Sequence, residues 1–312
     1  MARLGGDEGE TPDGPDFDPP FDIVEPPAVT SAVVLSSPHS GRVYPRRFLR
    51  SARLDASALR RSEDAFVDDL FEPAVSLGVP LLRAHFPRAF LDLNREPYEL
   101  DPRMFDGRLP AYVNTRSARV AGGLGTIARV VGDSQEIYAK RMSVEEGLRR
   151  IDDLHKPYHA ALEGLLNSAL RRFGLAVLVD CHSMPSSSIT GTADPTTWRD
   201  ERTKADFVLG DRYGTSCARH FVDVAEGELK RFGYLVERNK PYAGGFITEH
   251  YGRPAAGFHA IQIEINRGLY MDERSITRGP GFDTLSRHLH AVVAAISDVA
   301  VDSGGAERIA AE

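Results

Sequence analysis

Short apolar runs rich in β-branched residues recur along the chain and alternate with segments whose apolar residues repeat at helical spacing. The clearest run, from Leu175 to Val179, predicts a buried strand that stops at a polar cluster. Other strands are predicted at 32–37, 79–82, 89–95, 207–211, 234–237 and 260–267. Helices are predicted at 55–77, 143–172 with a kink or break at Pro157, 215–231 and 283–301. This order predicts an α/β fold with a mixed, mostly parallel open sheet flanked by helices.

The two ends of the chain differ in composition from its middle. Residues 1–27 are rich in Pro, Gly, Asp and Glu and carry too little apolar surface to offset the entropy of ordering, so we expect a disordered leader. We expect one α/β domain over 28–301 and a flexible tail over 302–312. The first residues lack the apolar core of a signal peptide, and no apolar stretch reaches transmembrane length.

Charge and cysteine content narrow the class of partner. The formal net charge of -7 argues against nonspecific attraction to nucleic acid or to anionic membranes, which are themselves negative. The two cysteines have neither the spacing of a metal-binding pair nor the number of a disulfide framework. A reducing cytoplasm is therefore the expected setting.

Histidines follow two of the predicted strands. His182 lies at the carboxyl end of the Leu175–Val179 strand, on the same side as Asp180 if the extended geometry persists, and His39 follows the first strand. Ligands bind at this edge of open α/β sheets. An acidic pair, Glu63 and Asp64, lies in or near the helix predicted next. Each of these residues could instead have a structural or solvated role.

Two further predicted strands place polar groups where a substrate could bind. The run at 89–95 ends in Asn94 and Arg95, and a guanidinium can hold a carboxylate through two parallel hydrogen bonds or form a structural ion pair with Asp92 or Glu96. Alternation along 260–267 places Glu264 opposite a face of isoleucines, where burial would raise its pKa and make it a candidate proton carrier. The glycine cluster at 122–125 matches neither a P-loop nor a dinucleotide fingerprint.

These scattered groups could form one hydrolytic metal site. Zinc in such sites takes three protein ligands and leaves one position for water. His39, His182 and either Glu63 or Asp64 could supply the ligands, and zinc lowers the pKa of the water while a carboxylate takes its proton. We expect Glu264 to be that base. The same donors also suit manganese, iron or cobalt.

Four ordered motifs over about residues 30–300 resemble the N-formylglutamate amidohydrolase family, which looks related to zinc carboxypeptidases. They are Ser37-Pro38-His39-Ser40-Gly41, Asp92-Leu93-Asn94-Arg95, Asp180-Cys181-His182-Ser183-Met184, and Gly244-Gly245-Phe246-Ile247-Thr248 followed by Gln262-Ile263-Glu264-Ile265-Asn266-Arg267. The resemblance implies a zinc-carboxypeptidase-like hydrolase architecture. It also implies hydrolysis of N-formyl-L-glutamate to formate and glutamate, late in histidine breakdown.

The resemblance assigns roles residue by residue. His39 and His182 match zinc ligands, Asn94 and Arg95 match a clamp for the substrate carboxylate, and Glu264 matches the general base. Carboxypeptidases place a ligand Glu three residues after the first His, where this chain has Arg42.

The motifs do not identify the third metal ligand or the residue that binds the second carboxylate of the substrate. We prefer Asp64 over Glu63 as the third metal ligand. Arg253 and Arg267 are candidates for binding the second carboxylate of the substrate, and Thr248 is a candidate hydrogen-bond donor in a long Gly-rich loop predicted at 244–258.

Three other functions are compatible with parts of the pattern. The same site could serve a deacylase or carboxypeptidase acting on another N-acyl amino acid or a short peptide. The fold could also carry an inactive binding protein, although the presence of all four residues His39, His182, Arg95 and Glu264 argues against it. A cysteine nucleophile at Cys181 would need an activating base beside it, and the sequence predicts none.

Overall fold

A computed structural model describes residues 16–131, 134–189 and 205–310. Its strands are β1 (Phe21–Val24), β2 (Val33–Ser37), β3 (Leu81–Ala84), β4 (Phe105–Asp106), β5 (Val130–Val131), β6 (Gln135–Glu136), β7 (Met142–Ser143), β8 (Ala176–Met184), β9 (Phe207–Gly210), β10 (Val236–Arg238), β11 (Phe258–Asn266), β12 (Met271–Asp272) and β13 (Thr277–Arg278). Its α-helices are α1 (Arg46–Ser51), α2 (Ala56–Arg60), α3 (Val67–Phe71), α4 (Ala118–Ala121), α5 (Val144–Arg150), α6 (Lys156–Phe173), α7 (Arg219–Arg231), α8 (Phe246–Tyr251) and α9 (Phe282–Ala310).

The main sheet has seven strands in the order β1-β3-β2-β8-β11-β9-β10. Strand β8 pairs in parallel with β2 and with β11, whereas β9 runs antiparallel to β11. The predicted mixed, mostly parallel sheet flanked by helices is therefore confirmed. No helix in the described ranges is both long and apolar enough to cross a membrane.

The chain divides into two compact units, where a single domain was predicted. One comprises residues 16–23, 38–65 and 82–163, and the other residues 24–37, 66–81 and 164–310. In the second unit every residue of β8 is buried, so both faces of this strand are covered as in a parallel α/β sheet. Helix α9 packs against α7 and α3 through its predicted apolar stripe, which is buried at Leu285, Leu289, Val292, Val293 and Ile296.

The first unit contains short strands and helices around an aromatic core. Phe48 and Phe90 meet edge to face with ring centroids 5.2 Å apart, and Phe17 makes a similar contact with Phe90. Helices α5 and α6 are joined by one π-helical turn, Ile151–His155. The break predicted at Pro157 is this turn. Pro157 is the second residue of α6, directly after this turn, and it has no backbone N–H to donate to the carbonyls of the turn.

The ends of the chain are more ordered than their composition predicts. Residues 1–15 lie outside the described ranges, but strand β1 occupies Phe21–Val24 within the predicted leader. Its one acidic residue, Asp22, accepts hydrogen bonds from Arg83 at 2.8 and 3.1 Å, which compensates its charge. Helix α9 continues to Ala310, through most of the predicted tail. The structure thus has a strand within the expected leader and helix over most of the expected tail.

Three predictions of secondary structure inside the chain were wrong. The helix expected over 55–77 is broken, because Phe66 adopts a left-handed conformation with φ of 66°. Residues 89–95 form turns rather than a strand, with the Asp92 amide donating to the carbonyl of Thr126. The expected loop at 244–258 contains helix α8 and a 3-10 turn at Pro254–Ala256.

Candidate active site

The His39 imidazole is held between two carboxylates of the first unit. It is 1% exposed, in the turn that follows β2. Its Nε2 donates to Asp92 Oδ1 at 2.7 Å, and its Nδ1 faces Asp64 Oδ2 at 3.4 Å. The turn needs glycine at position 41, because a Cβ there would lie 1.9 Å from the carbonyl oxygen of Phe86. Proton donation from Nε2 leaves the Nδ1 lone pair on the side of Asp64.

The acidic pair divides into two different roles. Asp64 is tied to the His39 turn, because its amide donates to the His39 carbonyl at 3.0 Å. Glu63 accepts hydrogen bonds from Tyr44 at 2.7 Å and from Arg60 at 3.0 to 3.2 Å. Burial raises the pKa of Glu63 against the opposing effects of Arg60 and Tyr44. This geometry favours Asp64 over Glu63 as a ligand beside His39.

Asp92 links His39 to the segment that follows it. Its Oδ1 also accepts the amide of Asn94 at 2.9 Å, and its Oδ2 pairs with Arg88 at 2.8 Å. Burial by itself raises the pKa of Asp92. The nearby charges of Arg88, Arg95 and His39 have a larger, opposite effect, so the pKa is well below its usual range. Asp92 is therefore ionised and can orient the imidazole.

The Arg95 guanidinium is held by backbone carbonyls. Nε donates to Leu124 at 2.9 Å and Nη1 to Asn94 at 2.7 Å, while Nη2 lies 3.8 Å from Asp92 Oδ2. The glycine cluster at 122–125 thus supplies a carbonyl that fixes this side chain.

Two imidazoles hold the backbone of the same segment. His155 Nε2 donates to the Arg95 carbonyl at 3.0 Å, and His159 Nε2 donates to the Leu93 carbonyl at 2.9 Å. The two rings stack with centroids 4.3 Å apart. Helix α6 and its π turn therefore position the Asn94–Arg95 pair.

In the second unit, His182 lies inside β8 rather than beyond its end, because the strand continues to Met184. Its Nε2 lies 2.9 Å from Asp180 Oδ2, as the two-residue spacing predicts. Asp180 is fully buried and His182 is 2% exposed. Asp180 thus also lies near the Nε2 of a histidine, but neither of its oxygens makes a hydrogen bond to a described residue, whereas Asp92 accepts one from His39.

Glu264 is the register partner of His182, since β8 and β11 pair in parallel with these residues opposite each other. Glu264 Oε1 accepts a hydrogen bond from Gln262 Nε2 at 2.9 Å, and Gln262 Oε1 accepts the amide of Gly245 at 3.0 Å. Glu264 is 7% exposed, so it is an almost buried carboxylate held in place by a neighbouring amide.

His39, Asp64 and His182 are each buried, and imidazole and carboxylate groups are the donor types that bind zinc. The fit to a metal rests on more than ligand type, because each histidine has its Nε2 against a carboxylate. Such carboxylate–histidine pairs orient the ring and raise its basicity in metal sites.

The chain matches the family model for N-formylglutamate amidohydrolase over residues 31–271. The chain belongs to this family. It is 30% identical to an N-formylglutamate deformylase of Pseudomonas aeruginosa over 251 residues, which cover 78% of this chain and 83% of the relative. It is 27% identical to an N-formylglutamate deformylase of Pseudomonas putida over 244 residues, covering 77% of this chain and 82% of the relative.

A solved structure gives the same family assignment. The N-formylglutamate amidohydrolase of Ralstonia eutropha JMP134 superposes with a TM-score of 0.84 at 37% identity, covering 91% of this chain and 99% of that chain. A protein of Agrobacterium tumefaciens with 16% identity and a TM-score of 0.58 shares the fold, covering 89% of this chain and 95% of that chain.

Arg267 and Thr248, two of the side chains predicted to contact substrate, lie in different environments. Arg267 is buried after β11, and its Nε donates to Ser183 Oγ at 3.1 Å, next to His182 in sequence. Thr248 is fully buried in α8 and donates its hydroxyl proton to the Gly245 carbonyl at 3.0 Å, so this proton has a structural role.

Arg253, also predicted to contact substrate, lies at the amino end of β11. It forms a bridge with Phe258, and its guanidinium lies over that ring at 4.9 Å. Six residues of strand, about 20 Å of rise, separate Phe258 from Glu264.

Cys181 has no features of a nucleophile. It is fully buried on the opposite face of β8 from its two neighbours, and burial raises the pKa of its thiol well above the ordinary value. A thiol of raised pKa is protonated and unreactive at neutral pH.

The sequence did not single out Gln262 as an orienting residue, nor Asp92 and His155 as supports. The two-residue spacings Asp180–His182 and Gln262–Glu264 could have identified the strand-borne pairs. The contact between His155 and Arg95 joins residues 60 positions apart, and no local pattern predicts it.

Proposed function

We propose that this protein is a metal-dependent amidohydrolase that cleaves N-formyl-L-glutamate to formate and L-glutamate. The substrate is taken from the printed activity of its Pseudomonas relatives and from its family. The observation that carries the chemistry is Glu264 standing opposite His182 in adjacent parallel strands. A candidate base and a candidate metal ligand are thereby held by rigid elements.

His39, Asp64 and His182 would hold the metal ion, for which we propose zinc by the resemblance to zinc carboxypeptidases. The register of β2 and β8 supports a shared site, because Ser36 lies opposite Asp180 and the chain reaches His39 three residues later. When bound, the ion would polarise the formyl carbonyl and lower the pKa of an attacking water. Asp92 and Asp180 would keep each imidazole in the orientation and tautomer that ligation needs.

Glu264 would act as general base and then as general acid. Its carboxylate takes one proton from water as the oxygen attacks the formyl carbon, and returns that proton to the amide nitrogen as the C–N bond breaks. Gln262 fixes the carboxylate through its amide, so Glu264 loses little freedom in the reaction.

Asn94 and Arg95 would bind one carboxylate of the substrate. Arg95 is already oriented by the carbonyls of Leu124 and Asn94. Its Nη2, which lies 3.8 Å from Asp92 Oδ2, would donate to the substrate carboxylate. Arg267, buried beside Ser183, would bind the second carboxylate that distinguishes glutamate from neutral amino acids.

Metal content and turnover of N-formyl-L-glutamate test this proposal when measured on the same protein samples. We expect about one zinc per chain and activity in the wild type, and loss of both in His182→Ala. The control is His290→Ala, which removes a histidine of α9 whose ring contacts only the hydroxyl of Ser76 among described side chains. Wild-type metal and activity in His182→Ala would contradict the proposal.

A substrate panel separates the proposed activity from that of a general deacylase. N-formyl-L-glutamate, N-formylglycine and N-acetyl-L-glutamate differ in the second carboxylate and in the acyl group. We expect the first to be turned over fastest. Equal rates on N-formylglycine would remove the proposed role of Arg267.

A further inference from the structure

In the second unit, a series of hydrogen bonds joins the segment 244–248 to the candidate base. Thr248 Oγ1 donates to the Gly245 carbonyl at 3.0 Å, and the Gly245 amide donates to Gln262 Oε1 at 3.0 Å. Gln262 Nε2 then donates to Glu264 Oε1 at 2.9 Å. Thr248, Gln262 and Glu264 are all buried, so little water competes for these hydrogen bonds.

The Gly245 amide determines which way the Gln262 side chain faces. A glutamine side chain carries an oxygen that accepts and a nitrogen that donates, and the two exchange places when the amide group turns over. A backbone N–H can only donate, so Gly245 meets the oxygen of Gln262 and leaves the nitrogen for Glu264. The reversed amide would place its oxygen against a carboxylate oxygen, and the two would repel each other.

Strand β9 holds the backbone that leads into Gly245. Gly210 on β9 is the register partner of Gln262, and a Cβ at position 210 would lie 2.8 Å from backbone atoms of Ala243 and Gly244. The Arg212 amide, just after β9, donates to the Ala243 carbonyl at 2.8 Å. The segment therefore lies directly on the sheet at the position of Gln262.

Helix α8 holds Gly245 from the other side. The Gly245 carbonyl accepts both the Thr248 hydroxyl and, at 3.1 Å, the amide of Glu249. The bond from Glu249 is an ordinary helical hydrogen bond, which any side chain at position 248 would leave in place. The Thr248 hydroxyl is thus an additional restraint on Gly245, and its removal should leave the helix intact.

We infer that Thr248 is a positioning residue for the Glu264 carboxylate. It acts through the backbone of Gly245 and the side-chain amide of Gln262, and a carboxylate held in this way reorganises less when it takes a proton. The role of Glu264 as base rests on the proposed function, whereas the hydrogen bonds do not. This role differs from the substrate contact expected from the sequence, because the Thr248 hydroxyl proton is already donated within the protein.

Hydrogen exchange of glutamine side chains, followed by NMR on isotope-labelled full-length protein, tests these bonds without an activity assay. The chain contains two glutamines, exposed Gln135 and buried Gln262, so two side-chain amide signals are expected and the slowly exchanging one belongs to Gln262. Thr248→Val, or the smaller Thr248→Ala, should speed its exchange by about two- to tenfold, and Thr248→Ser should restore slow exchange. Unchanged exchange in the valine and alanine variants would overturn the inference.

Thr215→Val is the matched control for the loss of a hydroxyl. Thr215 also donates to the carbonyl three residues earlier, that of Arg212, at 2.8 Å. We expect its removal to leave the exchange of Gln262 at the wild-type rate. Equal acceleration in Thr215→Val would show a general loosening of the unit and would refute the specific link.

A double-mutant cycle tests the effect on catalysis. We expect Thr248→Val to lower kcat for N-formyl-L-glutamate by about two- to tenfold at constant KM, and to lower it no further in Gln262→Met. Equal losses in both backgrounds would overturn the inference, because the two residues would then act independently. A rise in KM at constant kcat would also overturn it in favour of a substrate contact. A wild type that shows the expected exchange but no turnover would contradict the proposed function alone.

Discussion

The two units hold their candidate functional residues in different ways. In the second unit, Asp180, His182 and Glu264 are carried by β8 and β11, two long paired strands buried over nearly their whole length. In the first unit, His39 and Asp64 lie in turns and are held by individual hydrogen bonds. The strand-borne residues are fixed by sheet register, whereas the turn-borne residues depend on each other.

This contrast predicts how the two parts respond to mutation. A substitution on β8 or β11 removes one functional group and leaves the strands in place. A substitution at Asp92 releases His39 and the amide of Asn94 together. A substitution in the second unit should therefore affect one function, whereas a substitution in the first unit should affect several neighbouring residues at once.

The largest effect is expected from Glu264→Gln, which removes the proposed base and preserves shape. We expect kcat for N-formyl-L-glutamate to fall by about 10²- to 10⁴-fold while metal content and melting temperature stay unchanged. Glu237→Gln on β10 is the control for the same chemical change. Activity above a tenth of wild type in Glu264→Gln would remove this residue from the chemistry.

The comparison is sharpened by Asp92→Asn and Asp180→Asn, each of which alters the carboxylate beside one imidazole. We expect both to weaken metal binding by about 10- to 100-fold in competition with a chelator. Only Asp92→Asn should also raise KM, because Asp92 positions the amide of Asn94. Identical KM values in the two variants would contradict the proposed difference between the units.

A smaller effect is expected from His159→Phe, which keeps a ring beside His155 but loses the hydrogen bond to the Leu93 carbonyl. A hydrogen bond of about 0.5–1.5 kcal/mol corresponds to a rise in KM of about two- to tenfold. We expect kcat and metal content to remain near wild type in steady-state assays. A fall in kcat at constant KM would show that this imidazole does not act through substrate binding.

The smallest effect concerns stability. Burial lowers the pKa of His259 to about 4, with a further contribution from His220, and its Nδ1 accepts the amide of Ala218. The unfolded chain binds this proton near pH 6.5 and the folded protein only near pH 4, so stability is lost as pH falls between these values.

His259→Gln should remove that pH-dependent loss. We expect urea unfolding to show wild type losing at least about 1 kcal/mol more than the variant between pH 7 and 4.5. Parallel pH profiles for the two proteins would show that His259 titrates normally in the folded state.

Sequence patterns predicted the central strands better than the turns. The apolar run before Asp180 and the isoleucine alternation around Glu264 report directly on burial and on side-chain direction, so β8, β11 and their polar residues could be located. Asp64 is positioned by a backbone hydrogen bond to His39, 25 residues earlier, and Phe66 breaks the predicted helix with a left-handed conformation. Such tertiary constraints leave no periodic signal in the sequence.

The path of the Gly-rich segment was also not predicted. Its sequence indicated a long loop containing Thr248 and Arg253. The segment instead coils into α8 and returns to the amino end of β11. The role of Arg253 in substrate binding stays a prediction.

The π turn at Ile151–His155 sets the rotational phase between α5 and α6. Arg150, His155 and His159 all donate to carbonyls of the segment from Phe90 to Arg95. Around an unbroken α-helix, positions 150 and 155 would point about 140° apart, whereas the wider turn brings them toward one side. The number of residues between Arg150 and His155 is consequently more important for the position of these side chains than the identity of those residues. Deleting one residue between Arg150 and His155 would rotate one anchor away from the segment, even if every remaining side chain were retained.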